Sequence, residues 1–204
     1  MSGVALRVGH PWAPARLTAV VQGTRRRRAA REPVAGSLLG IEHEYRVLGP
    51  DGLAVDFRAL LPTLPVPGRA LDPADRHALR LPWGAALTCD DAEAEVALPP
   101  LAVQRGTTTV AASLADRARD ELAAILPAGH TIEGYSTHCS VAMPTEVAEV
   151  AAHRYARTFA PGLMLLLDGA DAPGLLVRPR PGRLELGGDF RAGAGLAAAA
   201  LFAL

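Results

Sequence analysis

Two glutamates separated by one residue, Glu42 and Glu44, sit in Gly40-Ile41-Glu42-His43-Glu44-Tyr45, where apolar Leu38, Leu39 and Ile41 lead into alternating residues. On a β-strand, residues two apart project from one face, so the two carboxylates point together while His43 and Tyr45 point the other way. The segment Asp90-Asp91-Ala92-Glu93-Ala94-Glu95-Val96 repeats the pattern. Read as a strand, it puts Asp91, Glu93 and Glu95 on one face and Ala92, Ala94 and Val96 on the core side. Like charges about 6 to 7 Å apart repel by roughly 2 to 3 kcal/mol at an effective dielectric near 20, and far less when solvated. Such a face is either wet or neutralised. A solvated strand explains either segment alone as well as a cation does. Two such segments in a chain this small shift the balance modestly towards a cation site, and hard Mg²⁺ or Mn²⁺ prefers oxygen ligands.

Two further segments carry candidate groups. In Gly134-Tyr135-Ser136-Thr137-His138-Cys139-Ser140-Val141, alternation places His138 with Ser136 and Ser140, opposite Thr137, Cys139 and Val141. A lone strand histidine is more often structural than a ligand, and phosphate or metal contact is the alternative. In Arg183-Leu184-Glu185-Leu186, Arg183 and Glu185 share a polar face, which a surface ion pair also explains.

The elements that must position these residues follow from periodicity. A strand through residues 38–47 ends at the Gly49-Pro50-Asp51-Gly52 turn. A short helix is expected within 55–64, and a strand or strand pair over 85–96, ended by Pro99-Pro100. Val110, Leu114, Ala118, Leu122 and Ile125 recur at three- and four-residue spacings, predicting an amphipathic helix over 108–126 that Pro127 stops. A strand around 135–143, a helix over 145–159, an apolar stretch at 163–167 and strands at 175–178 and 183–186 follow. The chain closes in the Ala-rich apolar run 195–204, and an apolar helix without a polar tail suggests a domain cut short at its C-terminus. These elements predict an α+β fold.

Composition narrows the function classes. The 204 residues carry 21 basic and 21 acidic groups, and every basic one is arginine, so no net field steers the protein to nucleic acid. Residues 1–34 read as a poorly ordered Arg-, Pro- and Ala-rich arm whose Arg25-Arg26-Arg27-Arg28 block is a solvated leader, since it lacks the aromatic platforms of a single-strand binder. Residues 35–204 form the remaining domain. Cys89 and Cys139 lack metal or disulfide-scaffold spacing, and no apolar run is long enough to cross a bilayer, so a reduced, cytoplasmic protein with no membrane partner is expected.

The order of these motifs resembles the glutamate-cysteine ligase type of carboxylate-amine ligase, in the glutamine-synthetase-like superfamily, over roughly residues 38 to 200. Gly-Ile-Glu-His-Glu-Tyr is similar to the family's opening Gly-x-Glu-x-Glu strand. Asp91 and Glu95 followed by Val-Ala resemble its second acidic strand, His138 its Gly-x-x-x-His strand, and residues 178–186 its Arg-Pro, turn and Val-Glu-x-Arg strand before an Ala-rich helix. The resemblance implies a curved, mainly antiparallel, funnel-like sheet with helices on its outer face. It implies Glu42, Glu44, Asp91, Glu95, His138 and Glu185 as ligands of Mg²⁺ or Mn²⁺, and His138, Arg178 and Arg183 as groups that hold ATP. Arg178 and Glu185 would be catalytic. Small amino-acid and amine substrates would be joined through an acyl phosphate, and a homo-oligomer is left open. The family's strand carries arginine two residues after its last glutamate, where this chain has Gly187. That difference supports the alternative of a non-catalytic relative serving as a metal- or nucleotide-binding or assembly module.

Overall fold

The computed structural model describes residues 37–165 and 173–204; the expected arm at 1–34, its arginine block and residues 166–167 of the expected apolar stretch lie outside the described residues. Residues 35–204 cluster as one compact unit. Its centre is strand β1 (Leu38–Leu48), in which Leu39, Ile41, His43, Tyr45 and Val47 are buried on one face and Glu44 alone on the other. That period-two burial fixes the register, because a one-residue slip would turn the whole apolar set to the opposite face.

Nine further strands join β1: β2 (Ala54–Val55), β3 (Arg69–Asp72), β4 (Asp75–Arg80), β5 (Ala86–Asp90), β6 (Glu93–Ala97), β7 (Leu101–Ala102), β8 (Thr131–Ala142), β9 (Leu176–Arg180) and β10 (Arg183–Asp189). The main path is β3-β4-β5-β6-β1-β8-β10-β9, with β2 and β7 pairing short lengths of β1, and every pairing is antiparallel. The sheet is curved and open, and the fold is α+β. The β3–β4 hairpin was not foreseen. Its residues are nearly all exposed or half-buried, so no apolar alternation marked it.

Helices cover the face that carries Ile41 and Tyr45. Helix α1 (Phe57–Leu60) is capped by Asp56, whose Oδ1 accepts from the Ala59 N–H at 3.3 Å, and it buries Phe57 completely. A 3₁₀ turn, Leu61–Thr63, follows it. Helix α2 (Thr107–Ile125) buries Ala111, Ala112, Ala115, Ala118 and Leu122. Four of those five are alanine, which lets the helix lie close to the sheet. Leu126 is extended ahead of Pro127, as a pre-proline residue must be, and the helix stops there. Helix α3 (Thr145–Thr158) buries Ala148 and Ala152 against Leu184 and its neighbours and Tyr155 beside Phe159 and Phe202, and short α4 (Ala160–Met164) follows. Helix α5 (Gly193–Ala203) inserts Leu196 and Ala200 into the main core. No helix among the described residues is long and apolar enough to cross a membrane.

Candidate metal centre

The face of β1 opposite the helices carries Glu42 and Glu44, and antiparallel register decides what lies beside them. Glu42 is flanked by Ala97 of β6 and His138 of β8, whereas Glu44 is flanked by Glu95 of β6 and Ser136 of β8. On β10, Gly187 follows next to His138, and Glu185 pairs with Ser140 and with Arg178 of β9. Residues spread over more than a hundred positions thus form two adjoining rows. A bulge keeps them in phase: Tyr45 pairs with Gly134 and Glu44 with Ser136, so Tyr135 is the extra residue. Gly134 is required there, since a Cβ would fall 2.3 Å from the Phe190 ring that packs on His43 and Tyr45.

Two of these carboxylates, Glu44 and Glu185, are buried, whereas Glu95 is half-buried and Asp90 at the end of β5 is exposed. Glu44 is 5% exposed and Glu185 2%, while Glu42 keeps partial access to solvent. His138 Nδ1 stands 3.7 Å from Glu42 Oε2, 3.6 Å from Glu44 Oε1 and 3.7 Å from Glu185 Oε1. Those separations are too long for hydrogen bonds. They match two donors that each lie about 2.1 Å from one shared ion at open bond angles. Two groups of three residues each bring one donor atom within 4.8 Å of the others: Glu42, His138 and Glu185, and beside them Glu44, Asp90 and Glu95.

Hydrogen bonding supports the same reading. Ser136 donates its hydroxyl to Glu44 Oε2 at 2.5 Å and leaves Glu44 Oε1 buried without a hydrogen bond, with His138 Nδ1 3.6 Å away. Ser140 Oγ is likewise buried and unpartnered. A buried, unpaired carboxylate oxygen costs several kcal/mol unless something electropositive meets it. Glu185 is neutralised directly, for Arg178 Nη2 donates to Oε1 at 2.5 Å and Arg180 Nε to Oε2 at 3.3 Å. The donor set, five carboxylates and one imidazole, fits a hard divalent ion such as Mg²⁺ or Mn²⁺. The first group offers nitrogen as well as oxygen, and the second offers oxygen alone.

The electrostatics agree with crowded negative charge. Burial, reinforced by Glu42, Glu44 and Asp90, pushes Glu95 up to about 7, and burial also raises Glu44. Contact with Glu42 raises His138. Burial works to raise Glu185 too, but the guanidiniums of Arg178 and Arg180 outweigh it and hold the carboxyl below its ordinary value. On the helix side, burial lowers His43 to about 4, which keeps it neutral beside Tyr45.

A pH prediction follows from these directions. Glu95, Glu44 and His138 bind protons more tightly folded than unfolded, so their contribution to stability is complete below the ordinary values and is lost as pH rises through the raised ones. For Glu95 the shift from 4.5 to about 7 corresponds to at most about 3 kcal/mol. Metal-free protein is therefore expected to melt at a lower temperature at pH 8.5 than at pH 6, and Mn²⁺ to restore much of the loss at the higher pH. Thermal melts at both pH values, with and without Mn²⁺, check this. Equal melting temperatures in all four conditions would mean that these acids are effectively solvated.

The structure corrects two sequence expectations. Asp91 does not share a face with Glu93 and Glu95, because β5 and β6 form a hairpin whose two-residue turn is Asp91-Ala92. Asp91 takes the left-handed conformation there, φ 50°, and its carbonyl accepts from Arg58 Nε at 3.3 Å. Asp90, the last residue of β5, joins Glu44 and Glu95 instead. Arg183 is exposed at the start of β10, opposite Arg180 in register, and does not pair with Glu185. Arg178 and Arg180 hold that position. Asp90, Ser136, Arg180 and Asp189, which extends the Glu44 row with a buried unpartnered Oδ1, were not singled out from the sequence. Arg180 was discoverable, being two residues from Arg178 on one strand. Asp90 was hidden because Asp-Ala is not a recognisable turn dipeptide.

The chain matches no protein-family model and no curated protein.

Proposed function

We propose that this chain is an ATP-dependent carboxylate-amine ligase of the glutamate-cysteine ligase type, working with Mg²⁺ or Mn²⁺ in a cytoplasmic setting. The observation that carries the reading is the pair of adjoining donor groups, Glu42-His138-Glu185 and Glu44-Asp90-Glu95, next to a strand bearing Arg178 and Arg180. The motif order of the sequence supports it as well.

In this reading the two donor groups hold divalent ions, which supply shielding of phosphate charge when bound. Arg178 and Arg180 each direct part of the guanidinium at Glu185 and keep further N–H donors, Arg178 Nε among them, for phosphate or substrate carboxylate oxygens. Glu185 fixes both arginines. Ser136 orients Glu44, and His138 directs Nδ1 to the acids. A carboxylate oxygen of the acid substrate attacks the γ-phosphorus of ATP, the bond to the bridging oxygen breaks, and ADP leaves. An amine then attacks the acyl phosphate, phosphate departs and the amine gives up a proton, leaving an amide. No protein nucleophile is needed.

A calorimetric titration of the full chain with a non-hydrolysable ATP analogue and Mg²⁺ tests binding, and ADP release with glutamate and an amine tests chemistry. The ligase reading predicts saturable, Mg²⁺-dependent binding and ADP release that requires both substrates. Absence of nucleotide binding with either Mg²⁺ or Mn²⁺ rejects it. Gly187 favours the second reading, a non-catalytic relative, and nucleotide binding without substrate-dependent ADP release would select that one.

A further inference from the structure

Helix α3 lies over β9 and β10 with Ala148, Ala152 and Tyr155 inward, yet two apolar side chains on it face away from the sheet. Val147 is 51% exposed and Val150 70%. At 100° per residue, Glu146, Val150, His153 and Arg157 form one stripe along the outward face, flanked by Val147 and Arg154 on one side and Glu149 and Ala156 on the other. Acidic groups occupy the first half of the helix and basic groups the second. Among the described residues, no hydrogen bond or ion pair engages the side chains of Glu146, Arg154 or Arg157. The helix dipole accounts for Glu146 in the first turn and Arg157 in the last. It does not account for valines between them.

The stripe is complementary to itself when reversed. If a second copy lays its own α3 antiparallel on this face, Glu146 of each copy meets Arg157 of the other, Val150 meets His153, and the two Val147 side chains flank the crossing. A twofold axis repeats each contact, as an isologous dimer requires. We propose that the outward face of α3 is a homodimer interface whose occupant is a second copy of this chain. A single helix pair buries well under the roughly 1,200 Å² of a stable complex, so the association is weak and concentration-dependent.

Sedimentation equilibrium of the full chain over a wide concentration series tests it. The mass is expected to climb from one chain towards two. Glu146→Arg alone and Arg157→Glu alone should each weaken association about tenfold or more, because each brings like charges together across the axis. Mixed in equal amounts, the two variants should associate again. The guanidinium introduced in one copy then faces the carboxylate introduced in the other, and the second pair sets native Arg157 against native Glu146. Far-UV circular dichroism verifies that both variants are folded. A native chain that stays monomeric at every concentration overturns the proposal, as does a dimer that either substitution leaves intact or a mixture that does not recover.

Discussion

Glu44→Gln is expected to cost Mn²⁺ affinity roughly 100-fold, about 2.7 kcal/mol, while the metal-free protein at pH 8 becomes more stable rather than less. The two effects share one cause. Glu44 is 5% exposed, has an unpartnered Oε1, and stands among Glu42, Glu95 and Asp90. An amide of the same shape removes a buried negative charge and keeps an oxygen to accept from Ser136. It also removes the anionic oxygen that an ion would use. The expected gain in metal-free stability is on the order of 1 kcal/mol, the scale of relieving one poorly compensated buried charge. Urea denaturation without divalent ions and a Mn²⁺ titration, run on both proteins, read the two quantities separately. If Glu44→Gln lowers metal-free stability and leaves Mn²⁺ binding unchanged, Glu44 serves the fold and not an ion.

Gly187→Ala should damage the same centre from the opposite direction, by adding atoms. A Cβ at position 187 would lie 2.5 Å from His138 Cδ2, 2.9 Å from His138 Nε2 and 3.1 Å from Leu176 Cβ. The imidazole therefore lies over Gly187, and a side chain there expels it or pushes the strands apart. Overpacking of this kind costs about 1 to 3 kcal/mol. Loss of the His138 position should lower Mn²⁺ affinity at least tenfold, and Gly187→Arg should do worse. Gly188→Ala is the control, because its Cβ would find ordinary contacts at 3.6 and 3.9 Å. A double-mutant cycle with His138→Ala sharpens the test: Gly187→Ala should be nearly neutral once the ring is gone. A Gly187→Ala protein with native stability and native Mn²⁺ binding would contradict this packing.

At position 187 an arginine side chain could not simply be introduced. His138 fills that space. Arg178 and Arg180 are then the cations beside the acids, both already committed in part to Glu185.

Much of the fold was legible because burial leaves a period. Alternation in residues 38–48 identified β1 and told which side carries the acids, and three- and four-residue spacing identified α2 to within a residue of each end. The Gly49-Pro50-Asp51-Gly52 turn marked the end of β1 and Pro127 the end of α2. The β3–β4 hairpin left no such trace, since an exposed ribbon has no apolar face to encode. Alternation also misled where the chain turned: the acids from Asp90 to Glu95 read as one strand, although Asp91-Ala92 reverses the direction, and the error exchanged Asp91 for Asp90.

The sequence by itself singled out Glu42, Glu44, Asp91, Glu95, His138, Arg183 and Glu185 as candidates, with Arg178 added by the resemblance, and placed them on strands. It could not set a metal centre far above a wet strand face, because that depends on distances between chain segments about 50 to 140 residues apart. Only the tertiary structure decided those distances. Antiparallel register set Glu44 between Glu95 and Ser136 and placed Glu42 beside His138, and packing buried Glu44 and Glu185 almost completely. Electrostatic repulsion that water would screen on an exposed strand is screened less around Glu44, and there burial raises both Glu44 and Glu95.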